Sequence, residues 1–375
     1  MVKKMFILLL VGAVVLLCGQ TSLKAGASEA DERVHEYSER IESRMAEAID
    51  DDTRALMEEN GAEKGDISGL TPGKAAAALW REICSSAAEP IKTAGRLTAV
   101  LILTALIKCF CKGSLLQGAS VISVLAGITV IYRSVYGAFS NVCAFLDKLS
   151  AFMLSYIPIY ASVTAASGGF TAGGSYYAST IGICELIGLA SRNVIMPFLS
   201  LFMALSFTAA INPDMHFAEA AASVKNTVKI VLTALMTVFT GLVSLKSITG
   251  SAADSAASKI ARFGASSFIP IIGSSVSEAY STVYAGVGVI RSAVGTAGIA
   301  AAGFMLIRPI AELILVKAVL GAGCIISDML GLSEQSEFLR SMGYSMSAAI
   351  STVLCFSMMF IISTAVLMLT AADSL

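Results

Sequence analysis

From residue 95 to its end, the chain is a series of long apolar stretches separated by short polar ones. This pattern constrains the fold most, because about 20 apolar residues suffice for a helix to cross a bilayer and a spanning segment must satisfy its own backbone hydrogen bonds. The whole chain is 56% hydrophobic and only 14% charged, whereas soluble domains carry about 25% charged residues. We therefore expect an all-α, polytopic membrane helical bundle.

Nine apolar stretches are candidate spans, and several are shorter than a perpendicular crossing requires. They cover residues 95–111, 115–135, 149–167, 176–191, 193–211, 228–248, 276–299, 300–327 and 347–370. Because some of these stretches can form broken or re-entrant helices, the sequence predicts about seven to nine spans. The connections are short, so residues 94–375 are predicted to form one transmembrane domain without a soluble catalytic lobe.

Residues 1–27 have the pattern of a signal peptide. Two lysines precede an apolar stretch over residues 5–17, and Ala25-Gly26-Ala27 fits a signal-peptidase site. An uncleaved anchor helix is the alternative. A lipoprotein signal at Cys18 fits less well, because Leu17 precedes the cysteine where a small residue is required. Cleavage after Ala27 would place the next residues on the outer side of the membrane.

Residues 28–93 form an acidic segment with 16 acidic and 8 basic side chains, whereas residues 94–375 have 11 acidic and 15 basic ones. An apolar stripe with alternating spacings of three and four predicts an amphipathic helix; it consists of Val34, Tyr37, Ile41, Met45 and Ala48. A second helix is predicted to begin at Thr71-Pro72. We expect a short helical extracytoplasmic arm that lies on the bilayer surface or docks a partner outside the membrane.

The sequence offers little for catalysis or ligand chemistry. It contains two histidines and eight scattered cysteines, of which Cys109 and Cys111 are the only close pair. The motifs of metalloproteases, P-loop nucleotide sites and serine nucleophile elbows do not occur, and no basic patch interleaved with aromatic residues suggests nucleic-acid binding. We expect no enzyme activity, no catalytic or metal-binding residues, no cofactor and no nucleic-acid partner.

Six charged residues fall inside the apolar stretches, where charge is unfavourable unless it faces the bundle interior or water. They are Lys108, Glu185, Arg291, Arg308, Glu312 and Lys317. Lys108, Arg291 and Lys317 can be explained by snorkelling near span ends. Arg308 and Glu312 are four residues apart on one helical face and can neutralise each other, either as a local structural pair or as part of a pathway or interface.

A stripe of small and polar residues runs along the stretch after Pro270 and Gly273. Its members step by three and four residues: Glu278, Ser281, Ala285, Gly288, Ser292 and Gly295. In lipid, helices associate through close backbone approach at small residues and through shared hydrogen bonds. The stripe therefore predicts a helix with one face packed on protein or lining water, and a leucine at Gly288 is expected to disrupt it.

The same region carries a resemblance to a known family. The residues concerned are Lys259, Phe263, Phe268-Ile269-Pro270, Gly273, Glu278, Val294-Gly295 and Gly298. Together with the signal peptide, the acidic arm, the Ser167-Gly168-Gly169 loop and the Pro309-bearing span, they make the chain resemble the stage III sporulation protein AE family of endospore-forming bacteria. The resemblance covers essentially the whole mature chain, although the arm matches only in general character.

That resemblance implies a multi-pass protein of the mother-cell membrane around the forespore. It would belong to a sporulation-specific channel or secretion-like complex needed for late forespore gene expression and development. The implied partners are other membrane and ring-forming proteins of that complex, with indirect coupling to a cytoplasmic ATPase. From the residues alone, a stand-alone transporter for a small solute, with Arg308 and Glu312 at its site, remains the alternative, although no inverted repeat is evident.

Overall fold

Every element that the computed structural model describes is an α-helix, as the sequence predicts. The structure describes residues 29–59, 72–110, 114–189, 217–268 and 273–372. The helices are α1 (Glu29–Ala48), α2 (Asp51–Glu59), α3 (Pro72–Ser86), α4 (Ala88–Phe110), α5 (Ser114–Ala166), α6 (Phe170–Leu189), α7 (Phe217–Phe268), α8 (Gly273–Met329) and α9 (Ser333–Ala372). The signal peptide and the apolar stretch at 193–211 lie outside the described residues.

Three helices are much longer than a bilayer is thick. α5, α7 and α8 contain 53, 52 and 57 residues, which is about 80 Å each at 1.5 Å per residue, against a hydrocarbon core of about 30 Å. The predicted spans 115–135 and 149–167 both belong to α5, and 276–299 and 300–327 both belong to α8. Polar residues between them lower the local hydropathy, but they do not break a helix.

Within the described residues, five helices are long and apolar enough to cross a membrane. The qualifying segments are Ala88–Phe110, Val121–Ala166, Asn226–Ala257, Gly286–Met329 and Ser333–Leu369. The prediction of seven to nine spans is therefore not confirmed. The main reason is that two pairs of apolar stretches look separate in the sequence, although each pair forms one continuous helix.

The centre of the bundle is formed by α9 and by the halves of α5 and α8 that pack with it. In the most apolar 18-residue segment of α9, 67% of the residues are buried. The corresponding value for α7 is 11%, so α7 lies at the periphery. Buried aromatic rings fill the contact: Tyr156 stacks on Tyr160 with ring centroids 5.6 Å apart and meets Phe360 edge-on at 5.4 Å. Large rigid rings of this kind fix how closely the helices can approach.

Two glycines in the left-handed region end the long helices α5 and α8. Gly168 has φ of 84° and Gly331 has φ of 68°, values that favour glycine because it lacks a Cβ. After each, a backbone N–H reaches back to the last turn: Gly169 N donates to Thr164 O at 3.0 Å, and Leu332 N donates to Ser327 O at 2.8 Å. These Schellman-type ends turn α6 back along α5 and α9 back along α8.

The acidic arm packs on the bundle. The predicted stripe of α1 is confirmed, since Ile41 and Met45 are buried and Tyr37 and Ala48 pack against the core. α1 contacts α8 and α5, and α2 and α3 contact α8. The predicted helix start at Pro72 is confirmed as well.

The arm is held mainly by apolar contact, and this leads to a testable prediction. Lys148 pairs with Asp50 at 3.3 Å and Asp52 at 3.4 Å, but about half of its side chain is exposed, so the pair contributes about 0–1 kcal/mol. Ile41→Ala, at a position only 3% exposed, should cost about 2–5 kcal/mol. Tryptic cleavage in the arm of detergent-solubilised protein should therefore accelerate strongly in Ile41→Ala and little in Lys148→Ala. Equal acceleration would contradict the apolar docking.

Candidate functional site

Two glycines of α8 lie directly against side chains of α5 and α9. A Cβ placed on Gly295 would lie 2.6 Å from Met368 Sδ and 2.9 Å from Tyr160 Oη, and one on Gly298 would overlap the Tyr156 ring. The Tyr156 hydroxyl donates to Val294 O at 3.2 Å across the same contact. Side chains of α5 thus lie directly on the backbone of α8, as expected where membrane helices associate through small residues.

A buried carboxylate joins α7 to the beginning of α6. The two oxygens of Asp254 accept hydrogen bonds from Thr171 N and Ala172 N, both at 2.9 Å. These N–H groups belong to the first turn of α6, where no intrahelical acceptor is available and where the helix dipole favours a negative charge. A Cβ on Gly250 would lie 3.0 Å from Ala172 Cα, so α7 meets α6 at backbone distance. Asp254 therefore acts as an N-cap from another helix.

A buried cation reaches the same turn from α8. Arg291 is 6% exposed, and its Nη1 donates to Ser167 Oγ at 3.1 Å. The sequence allowed Arg291 to be a snorkelling residue at a span end, and the structure corrects this: the guanidinium points into the bundle, against the turn between α5 and α6. We call the group formed by Ser167, Thr171, Ala172, Asp254 and Arg291 the polar junction. It joins four helices through charged side chains.

A second group of polar contacts lies between α6 and α9. Tyr176 Oη is 3.1 Å from Thr364 Oγ1, and Thr180 Oγ1 is 3.1 Å from Ser363 Oγ. All four side chains are buried. Hydroxyl pairs of this kind link helices in an apolar environment, so they fix α6 against the central helix.

The structure separates the residues of the predicted stripe. Pro270 lies outside the described residues, and for Gly273, Glu278, Ser281 and Ala285 only their place in the first turns of α8 is described. Ser292 is half-buried, and Gly295 is at the contact with α5 and α9. A Cβ placed on Gly288 would meet no atom within 4 Å, so the expected crowding there is wrong. The reason is that α5 runs antiparallel to α8 and ends close to Arg291, before it reaches the level of Gly288.

Arg308 and Glu312 lie one turn apart on α8, but each has a different partner. Arg308 Nε is 3.8 Å from Glu82 Oε1 of α3, and its side chain is 69% exposed. Glu312 Oε2 accepts a hydrogen bond from Asn141 Nδ2 at 2.6 Å. Arg308 and Glu312 were expected to neutralise each other. In the structure, Arg308 instead connects α8 to the arm, and Glu312 connects α8 to α5.

These separate partners predict additive effects. Arg308→Ala should cost less than about 1 kcal/mol because the pair is exposed, and Glu312→Ala should cost about 0.5–1.5 kcal/mol because a hydrogen bond between surface side chains is lost. In thermal unfolding of the detergent-solubilised protein, the double substitution should lose the sum of the two. A double variant more stable than Glu312→Ala would show that the two side chains compensate each other after all.

The residues that sequence reasoning missed are the partners of the predicted ones. Tyr156, Tyr160 and Asp254 are absent from the predicted set. Tyrosines inside the apolar stretch 149–167 are a signal that could have found the first two, whereas Asp254 lies outside the predicted stretches. Among the described residues, no three His, Cys, Asp or Glu side chains lie close enough together to hold a metal ion.

Comparison with known proteins now decides the family. The family model described as stage III sporulation protein AE matches residues 58–371. The chain belongs to this family. The stage III sporulation protein AE of Bacillus subtilis (strain 168) is 22% identical over 320 residues, which cover 79% of this chain and 80% of that protein. No solved structure matches the chain.

The match covers the contacts within the bundle but not those of α1. It begins in α2 and ends in α9, so the polar junction, the glycine contact and most of the helices that pack with the arm belong to the matched region. This chain is therefore a sporulation-family protein with several apolar helices of membrane-spanning length, as expected of a membrane protein.

Proposed function

We propose that this member of the stage III sporulation protein AE family is an integral, multi-pass component of a sporulation-specific channel complex that links mother cell and forespore. It resides in the mother-cell membrane around the forespore, with its acidic arm on the extracytoplasmic side, and it serves late forespore gene expression and development. Its partners are other membrane and ring-forming proteins of the complex, coupled indirectly to a cytoplasmic ATPase. It performs no catalytic step of its own.

The observation that carries this proposal is the family match over residues 58–371. The geometry supports it, because the described helices are joined by buried charges and close glycine contacts, such as Asp254 on α6 and Gly298 on Tyr156. Such contacts favour a rigid scaffold, since a close-packed interior has few voids and low compressibility. A structural member of an assembly needs that rigidity.

The test is deletion of the gene in the native host, with complementation by the full chain. The deletion should abolish heat-resistant spores and stop expression of a late forespore reporter, while the early reporter remains active. The complementing chain, affinity-tagged, should copurify ring-forming partners from sporulating cells. Normal late reporter expression in the deletion strain would overturn the proposal. Solute uptake by the purified chain alone in liposomes would instead support the transporter alternative.

A further inference from the structure

An open groove runs between the acidic arm and α8, and we call it the arm groove. α1 lines it with residues 38–49, α2 with residues 54–58 and α8 with residues 289–297. Its volume is about 640 Å³, and binding sites in proteins commonly have about 300–1,000 Å³. The arm groove is therefore large enough to receive several side chains of a bound molecule.

The floor of the arm groove is apolar. Met45 of α1, Met57 of α2 and Ile290 and Val294 of α8 line it, and each is less than 9% exposed. The apolar surface continues outward to Val289, which is 59% exposed. Apolar surface that is left open beside a buried cluster is typical of an interaction site. We therefore expect the bound molecule to bring apolar side chains.

The rim of the arm groove is acidic. Glu42 and Glu58 line it and are exposed, and neither forms an ion pair with another described residue. Arg54, the one cation among the described lining residues, is engaged elsewhere: it donates to Ile49 O at 3.2 Å and lies 3.5 Å from Asp51. Carboxylates are unfavourable against lipid, so the rim faces water or protein, and a cation is the complementary charge.

The walls of the arm groove favour a helix as the bound element. All three walls are α-helices, whose backbone groups are already hydrogen-bonded, so an extended peptide would find no free edge to pair with. A helix satisfies its own backbone and can lay one apolar face on the floor. Residues 38–49 of α1 cover about three turns, or about 17 Å, which matches a short helix.

The charge of the arm disfavours the arm of a second copy as the occupant. Between residues 36 and 59, α1 and α2 carry nine acidic and three basic side chains. Two arms packed together would bring like charges close to each other, which opposes association. A helix that carries lysine or arginine has the opposite charge and pairs with the rim.

We infer that the arm groove binds an amphipathic helix of another protein. Its apolar face packs on Met45 and Val294, and its lysine or arginine side chains pair with Glu42 and Glu58. The inference rests on the proposed function as a member of an assembly and deepens it by giving the chemistry of one partner. The family match begins at residue 58, so the wall formed by α1 is not part of what that match implies.

Photocrosslinking in sporulating cells of the native host tests the inference with the full chain. The photoreactive residue p-benzoylphenylalanine replaces Ala46, which is exposed and lines the arm groove. Mass spectrometry of the digested adduct should identify a peptide of another protein in which apolar residues recur every three or four positions and lysine or arginine flanks them. The matched control is Ala55, an exposed alanine of α2 outside the groove, which should give little of this adduct.

Charge reversal tests the role of the rim. Glu42→Lys, combined with the photoreactive residue at position 46, should lower the yield of the adduct about tenfold, because it brings like charges together. Glu47→Lys makes the same change at an exposed position of α1 outside the groove, and it should leave the yield unchanged. An equal loss in both variants, or a loss in neither, would contradict the pairing with Glu42.

The identity of the adduct separates the other possible occupants. Crosslinking to a differently tagged second copy, to phospholipid or only within the same chain would overturn the inference, and so would equal yields from Ala46 and Ala55. The late forespore reporter in the deletion strain tests the proposed function separately. Normal reporter expression there would overturn the proposed function and leave the crosslinking result to decide about the arm groove.

Discussion

Replacement of Gly298 by leucine should prevent the formation of a stable bundle. A side chain at this position would overlap the ring of Tyr156, and that ring cannot move aside because it is fully buried between Tyr160 and Phe360. α5 and α8 would have to separate. Overpacking typically costs about 1–3 kcal/mol, and separation of two central helices adds lost contacts, so we expect at least about 3 kcal/mol. Membrane levels by immunoblot and thermal unfolding in detergent measure the effect.

The matched control is Gly288→Leu, on the same helix. Both changes replace a helical glycine by the same residue and gain similar intrinsic helix propensity, but a Cβ at Gly288 meets no atom within 4 Å. Gly288→Leu should therefore accumulate to normal levels, and Tyr156→Ala should partly restore Gly298→Leu by removing the overlapping ring. Equal losses in the two leucine variants would show that the glycine contact does not determine stability.

This pair of positions shows what the sequence could predict about α8. The steps of three and four residues correctly indicate a helix with a face of small residues, because that periodicity depends only on helix geometry. They do not show where along the face another helix lies. The end of α5 near Arg291 limits the contact to the part of α8 from Gly295 onward, and that end depends on Gly168, more than a hundred residues away.

Predictions from the sequence agree best with the structure where one local pattern determines the result. The stripe around Ile41 and Met45 and the helix start at Pro72 need only neighbouring residues, and both agree with the structure. Predicting the number of spans required more information, because hydropathy shows where charges lie along the chain but not whether the helix continues through them. In α5 the helix continues through Asp147 and Lys148, because exposed charged side chains leave the backbone hydrogen bonds of a helix intact.

The pairing of charges was the least predictable part of the site. Arg308 and Glu312 are neighbours in sequence, and the i,i+4 rule for exposed helices favours a local pair. In a bundle, each side chain also meets residues from other helices, and here Glu82 and Asn141 take part. Asp254 shows the same effect, because its partners are backbone N–H groups of α6, which no side-chain pattern records.

Replacement of Asp254 by alanine should release α7 from α6. The substitution leaves the N–H groups of Thr171 and Ala172 without their acceptor and removes a negative charge from the beginning of a helix. Losing an N-cap costs about 0.5–2 kcal/mol, and losing hydrogen bonds to a charged group costs about 1.5–3 kcal/mol, so about 2–4 kcal/mol is expected. Thermal unfolding measures the loss, and faster amide exchange at Thr171 and Ala172 locates it.

Asp328→Ala provides the matched control, because it is the same substitution in an ion pair that is open to water. Asp328 Oδ2 is 3.4 Å from Arg340 Nη2, and about half of each side chain is exposed, so this change should cost less than about 1 kcal/mol. Asp254→Asn keeps one oxygen acceptor without the charge and should fall between the two alanine variants. If Asp254→Ala unfolds no earlier than Asp328→Ala and its amide exchange is unchanged, the first turn of α6 has another acceptor, and Asp254 does not hold α7 in place.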